Sequence, residues 1–98
     1  MQQNYLKLFD ALQDIDQVII CSLLPVEMIE QTQIINENVI LLNHFLKQEA
    51  DKRNFLFLDL YNLMVSRDGG IKVALTSDGV HLTPKAYTLW ETALTPYL

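Results

Sequence analysis

Two continuous apolar runs limit the folds open to this chain more than any other feature of its sequence. The first, QVIICSLLPV, occupies residues 17–26 and is closed by Pro25. The second, NFLFLDLYN, occupies residues 54–62, and its apolar part ends near Asp59. Neither run alternates apolar with polar residues, as a strand with one solvated face would. Both therefore predict strands buried on their two faces, which is typical of central parallel strands.

Three segments carry apolar residues at helical spacing. The first lies within residues 4–16 and should end near Asp14. The second is predicted from Asn36, a favourable N-cap, to about Lys52. The third begins at Thr83 and Pro84, which form an N-cap and N1 pair. The apolar positions are Tyr5, Leu8, Phe9 and Leu12 in the first helix, Val39, Leu42, Leu46 and Ala50 in the second, and Tyr87, Trp90, Ala93 and Leu94 in the third.

The order of elements predicts an α/β layer structure. Helix, strand, helix, strand, a turn-rich loop and a last helix follow one another, so the two strands should be parallel and joined by a right-handed crossover. Two strands are few, because sheets usually hold about five or six. We therefore expect residues 1–98 to form the C-terminal portion of a single larger α/β domain.

Composition excludes several classes of function. The net charge is −5 and only seven residues are Lys or Arg, scattered along the chain, so we expect no nucleic-acid partner. Cys21 is the single cysteine, so an internal disulfide and a cysteine zinc site are excluded; it should lie in a buried strand, and no metal or cofactor is expected. No run reaches the roughly 18–20 apolar residues of a membrane span, and no export signal opens the chain.

The stretch TSDGVHLTPKAYTLW, residues 76–90, contains the strongest candidate for catalytic chemistry. Asp78 and His81 lie three positions apart, and Gly79 between them permits a tight turn. A carboxylate against the Nδ1–H of an imidazole fixes the tautomer and leaves Nε2 free as a general base. On spacing alone the alternative stays open that Asp78 stabilises a turn and His81 lies near a helix start by chance, because D-x-x-H is short and common.

The longer stretch resembles a known family. DGVHLTPKAYTLW, together with VIICSLLPV, INENVILLNHFL and FLFLDLYNLM, is similar to the C-terminal half of the SGNH (GDSL-type) hydrolases, which are esterases and lipases. The resemblance covers essentially the whole chain. It implies a flavodoxin-like three-layer α/β/α fold and no cofactor, and it implies that Asp78 and His81 are the acid and base of a Ser-His-Asp triad.

The match continues into the last helix, where the family pattern is close to H-L-x-x-x-G-Y-x-x-W. This chain has Ala86 where the family usually has glycine. The residues that match the pattern are His81, Leu82, Tyr87 and Trp90.

The nucleophile half of the family pattern is absent from these residues. The chain contains no G-D-S block and no G-x-N-D block, and its three glycines all lie between residues 69 and 79. Ser22, Ser66 and Ser77 are more simply strand, loop or turn residues than nucleophiles, because a nucleophile elbow needs a sharp glycine-flanked turn.

His44 is expected to be an exposed helical histidine. Asp59 ends a strand where α/β sheets place ligands, yet it could equally cap the loop after that strand.

Two classes of function remain open. In the first, the chain is the C-terminal part of a serine esterase that hydrolyses small acyl esters, inactive without the nucleophile half. In the second, it is a non-catalytic assembly or binding module derived from that fold. In either case the strand edge at Val18–Leu24 should be covered, by a second copy of the chain or by another partner.

Overall fold

The computed structural model describes residues 2–98 and has a two-stranded parallel sheet at its centre. The α-helices and strands are α1 (Gln2–Leu12), β1 (Ile19–Cys21), α2 (Gln33–Lys52), β2 (Leu56–Leu58), α3 (Leu60–Met64) and α4 (Pro84–Leu94). Short 3₁₀ turns lie at Glu30–Thr32, Val73–Leu75 and Thr95–Tyr97. The fold class predicted from the sequence, α/β with two parallel strands and flanking helices, is confirmed.

Helices cover both faces of the sheet. Ile20 and Phe57 are partners in the parallel register, and both pack on a cluster contributed by α1, α2 and the approach to β2. Successive side chains of a strand point to opposite faces, so Cys21, next to Ile20, faces away from this cluster. Burial there raises the pKa of the Cys21 thiol, and the side chain of Trp90 in α4 opposes this shift. The first cluster comprises Phe9, Leu46, Ala50 and Phe55, and a second, below α4, comprises Met64, Ile71, Leu75 and Ala86.

Both strands are shorter and less covered than the sequence predicts. All three residues of β1, Cys21 included, are only half-buried, and Leu56 in β2 is exposed. The Ser22 N–H still donates to the Leu58 carbonyl at 3.0 Å, but the chain beyond leaves the sheet. Its backbone groups then bond to side chains of α2 instead of a strand. The prediction of two strands buried on both faces is thus wrong within these residues.

The start of α2 differs from the prediction. The helix begins at Gln33 with Thr32 as its N-cap, so Asn36 is not the cap. Its amide is buried and bonds to the backbone of Val26, and this tertiary contact is why a good capping residue lies inside the helix. The end at Lys52 and the buried face at Leu46 and Ala50 are confirmed.

The last helix is confirmed with one change in its buried face. Thr83 is the N-cap and Pro84 occupies the first turn, as predicted. Ala86 is fully buried, whereas Tyr87 is 58% exposed and stacks on Trp90 with ring centroids 6.4 Å apart. The predicted burial of Tyr87 is therefore wrong, because the small Ala86 lets α4 approach the second cluster through that face instead. No helix within residues 2–98 has the length and apolarity that a membrane crossing requires.

Candidate active site

Asp78 and His81 lie together on one loop, residues 76–82, here called the dyad loop. Oδ1 of Asp78 accepts the backbone N–H of Val80 at 3.0 Å and that of His81 at 2.8 Å. Oδ2 lies 2.6 Å from Nδ1 of the His81 ring. The loop is closed by Thr76, whose hydroxyl donates to the His81 carbonyl at 2.8 Å. The geometry expected from the D-x-x-H spacing is present.

Gly79 gives the dyad loop its shape. Its φ is +93°, a conformation that L side chains rarely adopt. The space is also closed, because a Cβ at this position would lie 2.8 Å from Cβ of Glu27. The carbonyl of Gly79 accepts the Glu27 N–H at 2.8 Å, so the tip of the loop touches the segment that follows β1.

The electrostatics of the pair determine which ring nitrogen carries the proton. The backbone N–H of His81, the His81 ring and the N–H of Val80 together hold the pKa of Asp78 well below its ordinary range. An ionised carboxylate only accepts hydrogen bonds, so Nδ1 of the neutral ring must be the donor. The lone pair of Nε2 is then available to take a proton from a hydroxyl.

The pair lies on open surface. The His81 side chain is 79% exposed and that of Asp78 is 53% exposed. Val80, between them, and Tyr87, in the first part of α4, are exposed as well. Among residues 2–98, the His81 ring makes a side-chain hydrogen bond to Asp78 alone. The side of the ring that carries Nε2 can therefore receive a group from outside these residues.

The hydrogen bonds of Thr83 join the end of the dyad loop to α4. The Thr83 hydroxyl accepts the Ala86 N–H at 3.4 Å as the helix cap and donates to the Ala74 carbonyl at 3.0 Å. The Thr83 N–H also donates to the Leu75 carbonyl. The residue directly after the dyad loop is thus fixed to both the helix and the preceding 3₁₀ turn.

Each of the three serines considered from the sequence makes hydrogen bonds within the fold, through its hydroxyl or its backbone. Oγ of Ser22 is buried and accepts the Tyr61 N–H at 2.9 Å. The Ser66 hydroxyl bonds to the Asp68 carboxylate in a turn, and the backbone of Ser77 bonds to the His81 carbonyl. Within residues 2–98, none of their hydroxyls bonds to the His81 ring. The structure does not bring a nucleophile to the base.

Asp59 and His44 line a separate cavity of about 290 Å³ beside β2. Asp59 caps α3, accepting the Asn62 N–H, so the capping alternative considered from the sequence is confirmed. His44 is exposed as predicted and bonds to Gln48, and Lys47 pairs with Asp51. The polar side chains at this cavity are hydrogen-bonded, including Asn43 to Leu23 and Tyr61 to the Gly69 carbonyl. No group of three metal-ligating side chains occurs in residues 2–98.

The tertiary hydrogen bonds of two asparagines of α2 were not predicted from the sequence, which assigned Asn36 only as a helix cap and assigned no role to Asn43. Oδ1 of Asn43 accepts the Leu23 N–H at 2.6 Å and its Nδ2 donates to the Leu23 carbonyl at 2.9 Å. Asn36 makes the same pair of bonds with Val26. The available signal was a polar residue at two positions, seven apart, on the otherwise apolar face of an amphipathic helix.

Comparison with known proteins identifies the fold. No family model matches the sequence, and no curated protein matches it. A Bacteroides fragilis protein described as an acylhydrolase matches 97% of this chain with a TM-score of 0.82 at 26% identity. A GDSL-like lipase from Bacteroides thetaiotaomicron matches 97% with a TM-score of 0.81 at 22% identity. A Streptococcus pneumoniae protein described as a platelet activating factor matches 93% with a TM-score of 0.75 at 22% identity.

The chain covers 48%, 49% and 46% of these three structures, so it corresponds to about half of each. The two matches at 22% identity show the fold alone, while the acylhydrolase adds a match at 26% over nearly the whole chain. The resemblance to the SGNH (GDSL-type) hydrolases and the partial SGNH-like α/β/α fold predicted from the sequence are confirmed.

Proposed function

We propose that this chain, whose fold is that of about half of a GDSL-type hydrolase, supplies the acid–base half of a Ser-His-Asp triad that hydrolyses carboxylic esters. The observation that carries the proposal is the ionised Asp78 bonded to Nδ1 of His81 at 2.6 Å, with Nε2 left free. The serine and the oxyanion hole come from a segment outside these residues. Together with that segment, residues 1–98 form one SGNH-type domain.

The reaction follows from the geometry of the pair. Nε2 of His81 takes the proton of the serine hydroxyl as the serine oxygen attacks the ester carbonyl. When the tetrahedral intermediate collapses, the imidazolium gives this proton to the departing alcohol, and an acyl-serine remains. Water then attacks the acyl-serine, with His81 again accepting and returning the proton. Asp78 stays ionised and stabilises the imidazolium formed in both steps.

The surroundings of the pair support a partner segment at this face. A base that works on a serine needs its target within hydrogen-bond reach, about 2.6–3.2 Å. His81 is 79% exposed here, and the apolar side chain of Val80, its neighbour in the chain, is exposed as well. A segment that brings a serine to Nε2 would cover these side chains and exclude water from the dyad, which strengthens its electrostatics.

The substrate class is taken from the neighbours. One is described as an acylhydrolase and another as a GDSL-like lipase. Both descriptions concern acyl compounds, so we propose small acyl esters as substrates for this chain once its site is complete.

The test begins with the coding frame upstream of Met1. If that frame encodes a Gly-Asp-Ser block, the product of the complete reading frame should hydrolyse a p-nitrophenyl acyl ester. Asp78→Asn should lower kcat by roughly four orders of magnitude and His81→Ala by roughly six. Thr95→Val, at the far end of α4, serves as the control and should leave kcat unchanged.

Unchanged turnover in His81→Ala would overturn the proposal. A genuine start site at Met1 with no serine block upstream would overturn it too, in favour of the non-catalytic assembly or binding module.

A further inference from the structure

Residues 23–28, between β1 and the 3₁₀ turn before α2, connect the core of α2 to the dyad loop. This stretch, here called the bracing segment, is held on one side by the two asparagines of α2 and touches the dyad loop on the other. It belongs to no helix or strand, so its position depends on these bonds.

Asn36 fixes the segment at Val26. It is 1% exposed, and both polar atoms of its side chain bond to Val26, while Nδ2 also lies 4.0 Å from Sδ of Met28. Oδ1 accepts the Val26 N–H at 2.9 Å and Nδ2 donates to the Val26 carbonyl at 3.2 Å. The same carbonyl accepts the Ile71 N–H at 3.0 Å. The peptide groups on both sides of Val26 are therefore locked in orientation.

Glu27, the next residue, connects the fixed backbone of Val26 to the dyad loop. Its N–H donates to the Gly79 carbonyl at 2.8 Å, and its own carbonyl accepts the Thr32 hydroxyl. The dyad loop bonds mainly to residues 72–83. Among residues 2–98, the bond from Glu27 is the only hydrogen bond that joins the loop to a residue outside that range. The remaining hydrogen bonds of the loop fix its shape and its two ends, while this bond fixes its tip.

We propose that Asn36 is a positioning residue for the dyad, acting through Val26 and Glu27 on Gly79. The inference rests on the proposed role of Asp78 and His81 as the acid–base pair. Gly79 lies between these two residues at a φ of +93°, and the bond from Glu27 holds it there. Loss of that support lets the tip relax and separates the carboxylate from the ring. Displacements of about 1 Å at a catalytic group are enough to cost substantial activity.

The readout is the tautomer of the His81 ring in the 98-residue chain. Long-range ¹H–¹⁵N NMR through the carbon-bound ring protons distinguishes Nδ1–H from Nε2–H, and it is recorded at a pH at which the ring ¹⁵N shifts themselves report the neutral form. The wild-type chain should favour Nδ1–H. In Asn36→Ala the ratio of Nδ1–H to Nε2–H should fall about three- to tenfold, the range expected when one ordinary hydrogen bond is lost.

Asn43→Ala is the matched control. It removes the same pair of amide bonds from the same helix face, but at Leu23, four residues before Glu27. It should lower the stability of the chain and leave the tautomer ratio within twofold of wild type. A merely structural role for Asn36 predicts instead that both variants change the ratio in proportion to the stability they lose.

Thr32→Val keeps the test valid if Asn36→Ala fails to fold. It removes the hydroxyl that holds the Glu27 carbonyl and preserves side-chain shape, with Thr95→Val as its control. If Asn36→Ala does not fold, a lowered ratio of Nδ1–H to Nε2–H in Thr32→Val, with no change in Thr95→Val, supports the inference that the bracing segment positions the dyad. An unchanged ratio in every folded variant at Asn36 and Thr32 overturns the inference.

Asp78→Asn separates this result from a failure of the proposed function. If the wild-type ratio equals that of Asp78→Asn, the acid–base pair itself is refuted, and the positioning inference falls with it. If the wild-type ratio exceeds that of Asp78→Asn but does not respond at Asn36 or Thr32, the pair stands and only the positioning inference is refuted.

Discussion

Asp78 acts on the dyad loop in two ways, and the substitution Asp78→Asn separates them. Its Oδ1 accepts two backbone N–H groups and so shapes the turn, while its Oδ2 orients the His81 ring. An asparagine at this position still accepts backbone bonds through its single carbonyl oxygen, but its NH₂ group cannot accept the Nδ1–H of the ring. The loop should therefore keep its turn in Asp78→Asn and lose the orientation of the ring.

The acid stability of the chain should depend on Asp78. Its hydrogen bonds hold the pKa of the folded state below the ordinary value of about 3.9, so the carboxylate contributes stability above that pH and loses it as the pH falls toward the folded-state pKa. Wild type should thus be more stable than Asp78→Asn at pH 6, and the difference should shrink between about pH 4 and pH 2.

Urea unfolding at a series of pH values measures this difference. Asp51→Asn removes the same charge from an exposed pair on α2 and controls for net charge. A difference between wild type and Asp78→Asn that grows on acidification would show that the carboxylate is not stabilised in the folded chain.

At the scale of single elements, α4 depends strongly on its N-cap residue, Thr83. The Thr83 hydroxyl caps the helix and also bonds to the Ala74 carbonyl, so Thr83→Ala removes both contacts. Loss of an N-cap threonine costs about 0.5–2 kcal/mol of unfolding free energy. Thr83→Ser retains the hydroxyl and should recover most of this loss. Equal destabilisation by alanine and serine in urea unfolding would assign the effect to the lost methyl group instead.

Elements with local signals were predictable from the sequence, and those set by distant contacts were not. The Thr83–Pro84 pair and the D-G-x-H turn act within a few residues, and both are present as predicted. Asn36 has the local preference of a cap, yet its amide is taken by Val26, ten residues away. The five-residue α3 was missed because it follows β2 within one apolar run, with Asp59 as its only marker.

The same reasoning applies to the candidate site. The pairing of Asp78 with His81 needs a separation of three residues, which a sequence shows directly. The bond from Glu27 to Gly79 spans more than fifty residues, and its partners are backbone atoms that every residue type carries. No pattern of side chains could have predicted it.

At the scale of the whole molecule, the isolated chain should show no esterase activity above background. A base without a nucleophile or oxyanion hole has little to act on, and no serine hydroxyl of residues 2–98 reaches His81. Hydrolysis of a p-nitrophenyl acyl ester by the purified chain is the measurement, with His81→Ala as the control. Saturable turnover that His81→Ala abolishes would mean that a resident group acts as the nucleophile.

The sheet within residues 2–98 has two strands, and β1 pairs with β2 alone. Bonds to β2 are made by Val18 and Ser22 at the two ends of β1. Because the groups of a strand alternate in direction, those of Ile19 and Cys21 point to the opposite edge. A further part of the Val18–Leu24 run is already satisfied, since Asn43 bonds to Leu23. The edge open to another chain is therefore centred on Ile19 and Cys21.

Pairing of this edge across a two-fold axis would extend the sheet and satisfy its N–H and C=O groups. We predict that the purified chain forms a homodimer through β1, seen by light scattering at micromolar concentration as a mass of about twice 11.3 kDa. Ile19→Pro removes an N–H that faces away from β2, which an edge strand tolerates, and it should shift the mass toward the monomer while circular dichroism stays unchanged.

Aggregation or exchange of an element between copies would give higher or concentration-dependent masses. A stably folded, monodisperse wild-type monomer would contradict the prediction and would mean that the half-buried side chains of β1 protect its edge without a partner.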